Sequence, residues 1–155
     1  MTDHAETRKV PYSARQMFDL VSDVESYPEF LPWVAGARTR GENDEGRPFE
    51  ADLVISFKVF RESYTSRIVE YPPDSHDPAR IEVEAISGPF EKLVTHYSFH
   101  DIEGGGSEMQ FSVDFRFKNR LLQRAAGAAF NHAMGRVAKA FEKRAAELYG
   151  APENA

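Results

Sequence analysis

The 155-residue chain contains no cysteine and a single tryptophan, Trp33. Without cysteine there are no disulfides, thiolate metal sites or thiol nucleophiles, which fits a reducing compartment. No run of about 18 apolar residues occurs, so no transmembrane helix is expected. The stretch Met1–Val10 is polar, unlike a signal peptide's apolar region. Low-complexity segments and internal repeats are also missing. What remains is ordinary for a globular domain, with 41% hydrophobic and 28% charged residues. A chain of this length buries roughly 68–70% of its unfolded surface and sustains one core unaided.

Charge is unevenly spread. The net value is −6, yet Asn119–Tyr149 carries six basic and two acidic residues. That segment is therefore +4 and the remainder −10. The balance argues against nucleic acid, DNA included, as a default partner and singles out one surface.

Hydrophobic periodicity gives the element order. A short strand over Glu6–Val10 is stopped by Pro11. Ser13 opens a helix with Gln16 placed for a capping box. Tyr27–Val34, with two prolines, reads as a helical turn and loop. A weak strand follows over Ala37–Glu42, then a polar hairpin loop over Gly41–Gly46. Strands are expected at Phe49–Phe57, Glu62–Tyr71, Arg80–Ser87, Phe90–Ile102 and Glu108–Lys118. Their apolar faces alternate, as in Met109, Phe111, Val113, Phe115 and Phe117. Ser87-Gly88-Pro89 and Gly104-Gly105-Gly106 are turn signals. A long amphipathic helix over Asn119–Tyr149 follows, with a short disordered tail at 151–155.

Consecutive hairpins imply an antiparallel sheet with one apolar face to cover. The only long element able to cover it is the last helix. The expected fold is α+β: a curved antiparallel six- to seven-stranded sheet gripping a long C-terminal helix, with two short helices after strand 1. Residues 1–150 form a single domain. The helix is small-sided at Ala125, Ala126, Gly127, Ala128, Ala129, Ala133 and Gly135, opposite sheet phenylalanines. Two readings stay open: close packing, or a cavity for an apolar guest. Gly127 and Gly135 lie off the stripe and find no explanation in the pattern.

Catalytic constellations are not visible. His96 and His100 share a strand face about 13 Å apart, too far for one metal ion, and that face is expected to be solvated. His132 reads as surface, and Asp114 and Arg116 as outward cross-strand pairing partners. No metal site is expected.

Several motifs carry a resemblance. Val24-Glu25-Ser26-Tyr27-Pro28-Glu29-Phe30-Leu31-Pro32-Trp33, Tyr64-Thr65-Ser66-Arg67-Ile68, Ser87-Gly88-Pro89-Phe90-Glu91-Lys92-Leu93 and Val113-Asp114-Phe115-Arg116-Phe117-Lys118-Asn119 resemble, in order, the coenzyme-Q-binding START-domain family. Ala140-Phe141-Glu142-Lys143-Arg144-Ala145 completes the pattern, which spans about residues 5–149. Tyr97 departs from it, standing where the family has tryptophan. This family belongs to the polyketide-cyclase-like helix-grip superfamily and also takes in RatA ribosome-association toxins.

The resemblance implies non-enzymatic binding of ubiquinone or a similar prenyl lipid in an internal cavity, in support of respiration. No other cofactor is implied. The expected walls are Leu53, Ile55, Phe57, Val83, Tyr97, Phe99, Phe111, Val113, Phe115, Ala126, Phe130, Ala133 and Val137. Tyr27, Phe30, Leu31 and Trp33 form either a plug or a lid touching membrane. Arg124, Arg136, Lys139 and Lys143 form a basic flank, either solvated or facing an anionic partner. The alternative function is RatA-like binding to the ribosome that blocks subunit association; a cyclase or hydrolase is a distant third. A bacterial cytoplasmic protein, peripheral at the inner membrane in the lipid-carrier reading, is the expected setting.

Overall fold

The computed structural model describes residues 2–41, 48–57 and 60–150. Beyond Gly41, the hairpin loop expected at 41–46 lies outside them, as does the tail at 151–155.

Seven strands form one antiparallel sheet: β1 Thr2–Val10, β2 Val34–Arg40, β3 Phe49–Phe57, β4 Phe60–Tyr71, β5 Ala79–Ser87, β6 Phe90–Asp101 and β7 Ser107–Phe117. Strands β2 to β7 pair in sequence order, and β1 pairs with β7, giving β1-β7-β6-β5-β4-β3-β2. Both outer strands begin earlier than expected, because ladder pairing rather than apolar alternation defines them. β1 runs from Thr2 opposite Phe115 to Val10 opposite Ser107. In β2, Val34 pairs with Ile55 before a register shift at Gly36.

Helix α1, Ala14–Ser22, starts as the sequence requires. Ser13 Oγ accepts from Gln16 N at 3.1 Å, and Gln16 Oε1 accepts from Ser13 N at 2.9 Å. A 3₁₀ segment, Val24–Glu29, follows. Losing the reciprocal cap in Ser13→Ala should cost about 1 kcal/mol. Urea denaturation with an unchanged m-value would show it.

The terminal helix comes as two segments, α2 Arg120–Met134 and α3 Val137–Tyr149, divided at Gly135 and Arg136. Gly135, a poor helix former, thereby finds its place as the C-cap of α2. Gly127 answers a different need. A Cβ there would sit 2.6 Å from Gln123 Nε2, and the Gln123 side chain accepts from Phe117 N at 2.9 Å, tying strand β7 to the helix start. The break also changes the buried stripe: Ala138 and Ala145 are buried, whereas Ala129 and Leu148 are exposed.

The sheet's curvature follows from one side chain. Phe130 on α2 meets Phe115 of β7 at 4.4 Å, Phe90 of β6 at 5.3 Å and Phe57 of β3 at 6.1 Å between ring centroids. In a flat sheet β7 and β3 would be about 19 Å apart, at roughly 4.8 Å per strand. One ring can reach both only if the sheet wraps the helix. The core lies in that concavity.

On the outer face, Asp114 pairs with Lys92, and Arg116 with Glu91 at 3.2 Å, as alternation implied. His96 and His100 are exposed there, and His100 Nδ1 lies 2.5 Å from Asp77 Oδ1.

Candidate functional site

The space between sheet and helices is largely filled. Among the described residues, an interior cavity measures about 90 Å³. Seven of the expected wall residues line it: Leu53, Ile55, Val83, Tyr97, Phe111, Phe130 and Val137. Phe57, Ala126 and Ala133 line a different space, an open apolar cleft of about 400 Å³ between the end of β3 and α2. Phe99, Val113 and Phe115, each at most 2% exposed, line neither space. Phe99 instead packs edge-on against Phe18 of α1, with centroids 6.2 Å apart. Ligand pockets usually measure about 300–1,000 Å³, so close packing prevails over the hollow reading in the interior as it stands.

The alternation rule missed part of the wall. Tyr64 and Ser66 of β4 and Thr95 of β6 also line the cavity. Strand β4 is polar on both faces, so periodicity could not assign its inner side, and its register shifts between Thr65 and Ser66. The signal was the Tyr64-Thr65-Ser66 motif itself. Gly88 lets Tyr64 approach: its φ is +118°, and a Cβ there would lie 2.4 Å from Tyr64 Cβ. Burial pushes the Tyr64 and Tyr97 hydroxyls well above the ordinary tyrosine range. It does the same to Tyr27, which donates to the Val21 carbonyl.

The Tyr27–Trp33 segment is a plug. Tyr27 and Phe30 each meet the Phe141 ring at 5.5 Å, while Leu31 and Trp33 are buried at 3% and 8% exposure. Membrane insertion of Trp33 would require it to leave the core. Its position is still distinctive, since Trp33 borders the interior cavity, the apolar cleft and a groove on the basic side.

The four flank cations are exposed but do not share one surface. Arg136, Lys139 and Lys143 line the groove beside Trp33 together with Glu29 and Glu147. Arg124 instead joins Arg116, Lys118 and Arg120 around Glu91, where β7 meets α2. Lys118 and Arg120 were missed because that cluster straddles a strand–helix boundary, which a single helical wheel cannot display. No group of three or more histidine, aspartate or glutamate side chains suited to a metal ion occurs among the described residues.

The sheet wrapped around a split helix, with a plugged and mostly filled interior, defines a START-like helix-grip domain. The chain belongs to the polyketide cyclase / dehydrase and lipid transport family, whose model matches residues 10–142. It is 37% identical over 148 residues to the ribosome association toxin RatA of Rickettsia prowazekii, covering 96% of this chain and 99% of that one. The mitochondrial coenzyme Q-binding protein COQ10 of Drosophila melanogaster is 30% identical over 148 residues, covering 92% of this chain but 58% of that protein. An 18 kDa protein of Caulobacter crescentus, solved in solution, is 34% identical with a TM-score of 0.73, covering 97% of this chain and all of that one. The fold alone is shared with the Zhui aromatase/cyclase of a Streptomyces species, at 13% identity and a TM-score of 0.77, covering 93% of each chain. Among the described residues no helix is long and apolar enough to cross a membrane.

Proposed function

We propose that this chain is a non-enzymatic protein that binds the ribosome and hinders association of its subunits. The observation that carries the reading is the end-to-end similarity to a ribosome association toxin, 37% over 99% of that protein. The surface chemistry agrees with it. Lys118, Arg120 and Arg124 are exposed and have no ion-pair partner among the described residues, on a chain that is acidic overall. Ribosomal RNA is a dense array of phosphates, and such cations are what it attracts.

Co-sedimentation of the purified protein with separated small and large subunits tests this. Binding is expected to one subunit, with log K falling against log salt by about 0.7–0.9 for each phosphate contacted. Failure to pellet with either subunit at low salt would exclude it.

A second reading, a carrier of ubiquinone or a related prenyl lipid with peripheral membrane contact, is favoured by the relative named for coenzyme Q binding and by the apolar cleft beside Trp33. Organic extraction of the purified protein and mass spectrometry decide that point: stoichiometric quinone supports it, and an empty protein that pellets with subunits supports the first.

A further inference from the structure

Helix α2 is apolar on two sides. One side, with Ala126, Phe130 and Ala133, is buried, and its Phe130 meets the sheet. The other, with Leu121, Ala125, Ala128 and Ala129, is exposed, Leu121 at 73%. At 100° per residue these four span about 100°, the width of a stripe that normally faces a core. The stripe runs into the open apolar cleft of about 400 Å³, which Pro32, Trp33 and Phe57 complete on its other side. A helix with a second apolar stripe has a second surface to cover.

Charge determines what covers it. No aspartate or glutamate occurs between Asp114 and Glu142, whereas six lysines or arginines do. Arg124 adjoins the start of the stripe in sequence, and His132 and Arg136 line the cleft at its end. Arg124 and Arg136 are exposed and have no ion-pair partner among the described residues. Their separation in sequence corresponds to roughly 18 Å of helix at 1.5 Å per residue.

We propose that this face docks an acidic amphipathic helix of a partner protein. Its large apolar side chains sit in the cleft between α2 and Trp33, and its carboxylates meet Arg124 at one end and Arg136 at the other. Alanines at i and i+4, Ala125 and Ala129, let two helix axes approach closely, so larger side chains of a partner fit against them. A bilayer gains little here, because interfacial helices insert bulky side chains and Leu121 is the one bulky residue of the stripe. A phosphate backbone is drawn to the cations but gains nothing from bare alanines. A second copy packed on this face about a two-fold axis would bring Arg124 of one chain towards Arg136 of the other, like charge on like charge. The docking face stands independently of the ribosome reading and needs no guest inside the sheet.

The test uses the full chain and a designed helical peptide of about five turns, with leucines at i, i+3, i+4 and i+7 spacing and glutamates on its other face. Its controls are the same peptide with lysine for glutamate, a scrambled order without the apolar seam, phosphatidylglycerol vesicles and an RNA duplex. Trp33 lines the cleft and is the only tryptophan, so its emission reports occupancy, and calorimetry gives the affinity. The acidic peptide should bind saturably, one to one, and shift the emission. The lysine and scrambled peptides should bind at least about tenfold more weakly, since complementary charge and the seam are both required. Ala125→Glu combined with Ala129→Glu changes only exposed positions, so the melting temperature should hold while affinity for the acidic peptide falls at least about tenfold. Arg124→Glu combined with Arg136→Glu should reverse the order of the acidic and lysine peptides. The proposal is overturned if the scrambled or lysine peptide matches the acidic one, or if the double alanine variant keeps full affinity. It is equally overturned if only vesicles, RNA or a second copy, the last read by sedimentation equilibrium, bind in a way that the alanine variant abolishes. Pelleting with ribosomal subunits is a separate measurement, so either reading can fail without the other.

Discussion

Phe130→Ala is expected to destabilise the protein by about 3–5 kcal/mol, the range for a fully buried phenylalanine. Phe130 is 2% exposed and touches rings from β3, β6 and β7, with Phe117 a further partner at 5.8 Å. Its removal leaves a void where three strands and α2 converge, and a neighbour cannot fill it without uncurling the sheet. Native domains have only about 5–15 kcal/mol in total. At about 2–4 °C per kcal/mol for a chain of this size, Tm should fall by roughly 6–20 °C. Urea unfolding should show a lower midpoint with little change in m. A loss below about 1 kcal/mol would mean that the ring is not the wedge described.

Reversing Lys118, Arg120 and Arg124 to glutamate should abolish pelleting with ribosomal subunits and leave thermal stability nearly unchanged. The three cations surround Arg116 at the β7–α2 corner, where Glu91 is the one acid. Around the Trp33 groove, by contrast, two acids, Glu29 and Glu147, stand beside Arg136, Lys139 and Lys143, and both pair with Arg144. The corner therefore carries the stronger field. Replacing each cation by alanine singly should lower the salt slope by about one if it contacts one phosphate. Lys139→Glu with Lys143→Glu is the comparison variant. If it abolishes binding and the corner variant does not, the interface lies on the groove side. Retained binding in both would exclude phosphate attraction by either cluster.

Much of the fold was readable because the deciding patterns were local. Alternation in β7 placed Met109, Phe111, Val113, Phe115 and Phe117 inward, and all are buried. The Ser13–Gln16 cap needs only a spacing of three. The long helix was legible as a stripe, but its break was not: Gly135 fits inside a helix at modest cost, and only the packing of two faces against one curved sheet shows where the chain turns.

The candidate site was harder, since a cavity is a property of several strands at once. Ala126 and Ala133 lie on the apolar stripe, yet they face an outside cleft. Thr95 sits on the inner face that alternation assigned to β6, but nothing in its own strand says that it borders a cavity. Likewise, Arg124 separates from Lys139 and Lys143 because a wheel drawn on one straight helix cannot represent two.

Strand β1 has a further consequence for how the chain is made. Its partner β7 lies about a hundred residues later, Thr2 facing Phe115 and Val10 facing Ser107. Strands β2 to β6 can pair with a neighbour as soon as it emerges. β1 cannot. At about 5–20 residues per second of synthesis, it waits roughly 5–20 s with its backbone donors and acceptors open. Its alternation of Glu6, Arg8 and His4 with exposed Ala5, Thr7 and Lys9 gives it little apolar surface for misdirected pairing during that delay. The polar character that made β1 hard to recognise as a full-length strand is what lets it remain soluble until its partner is made.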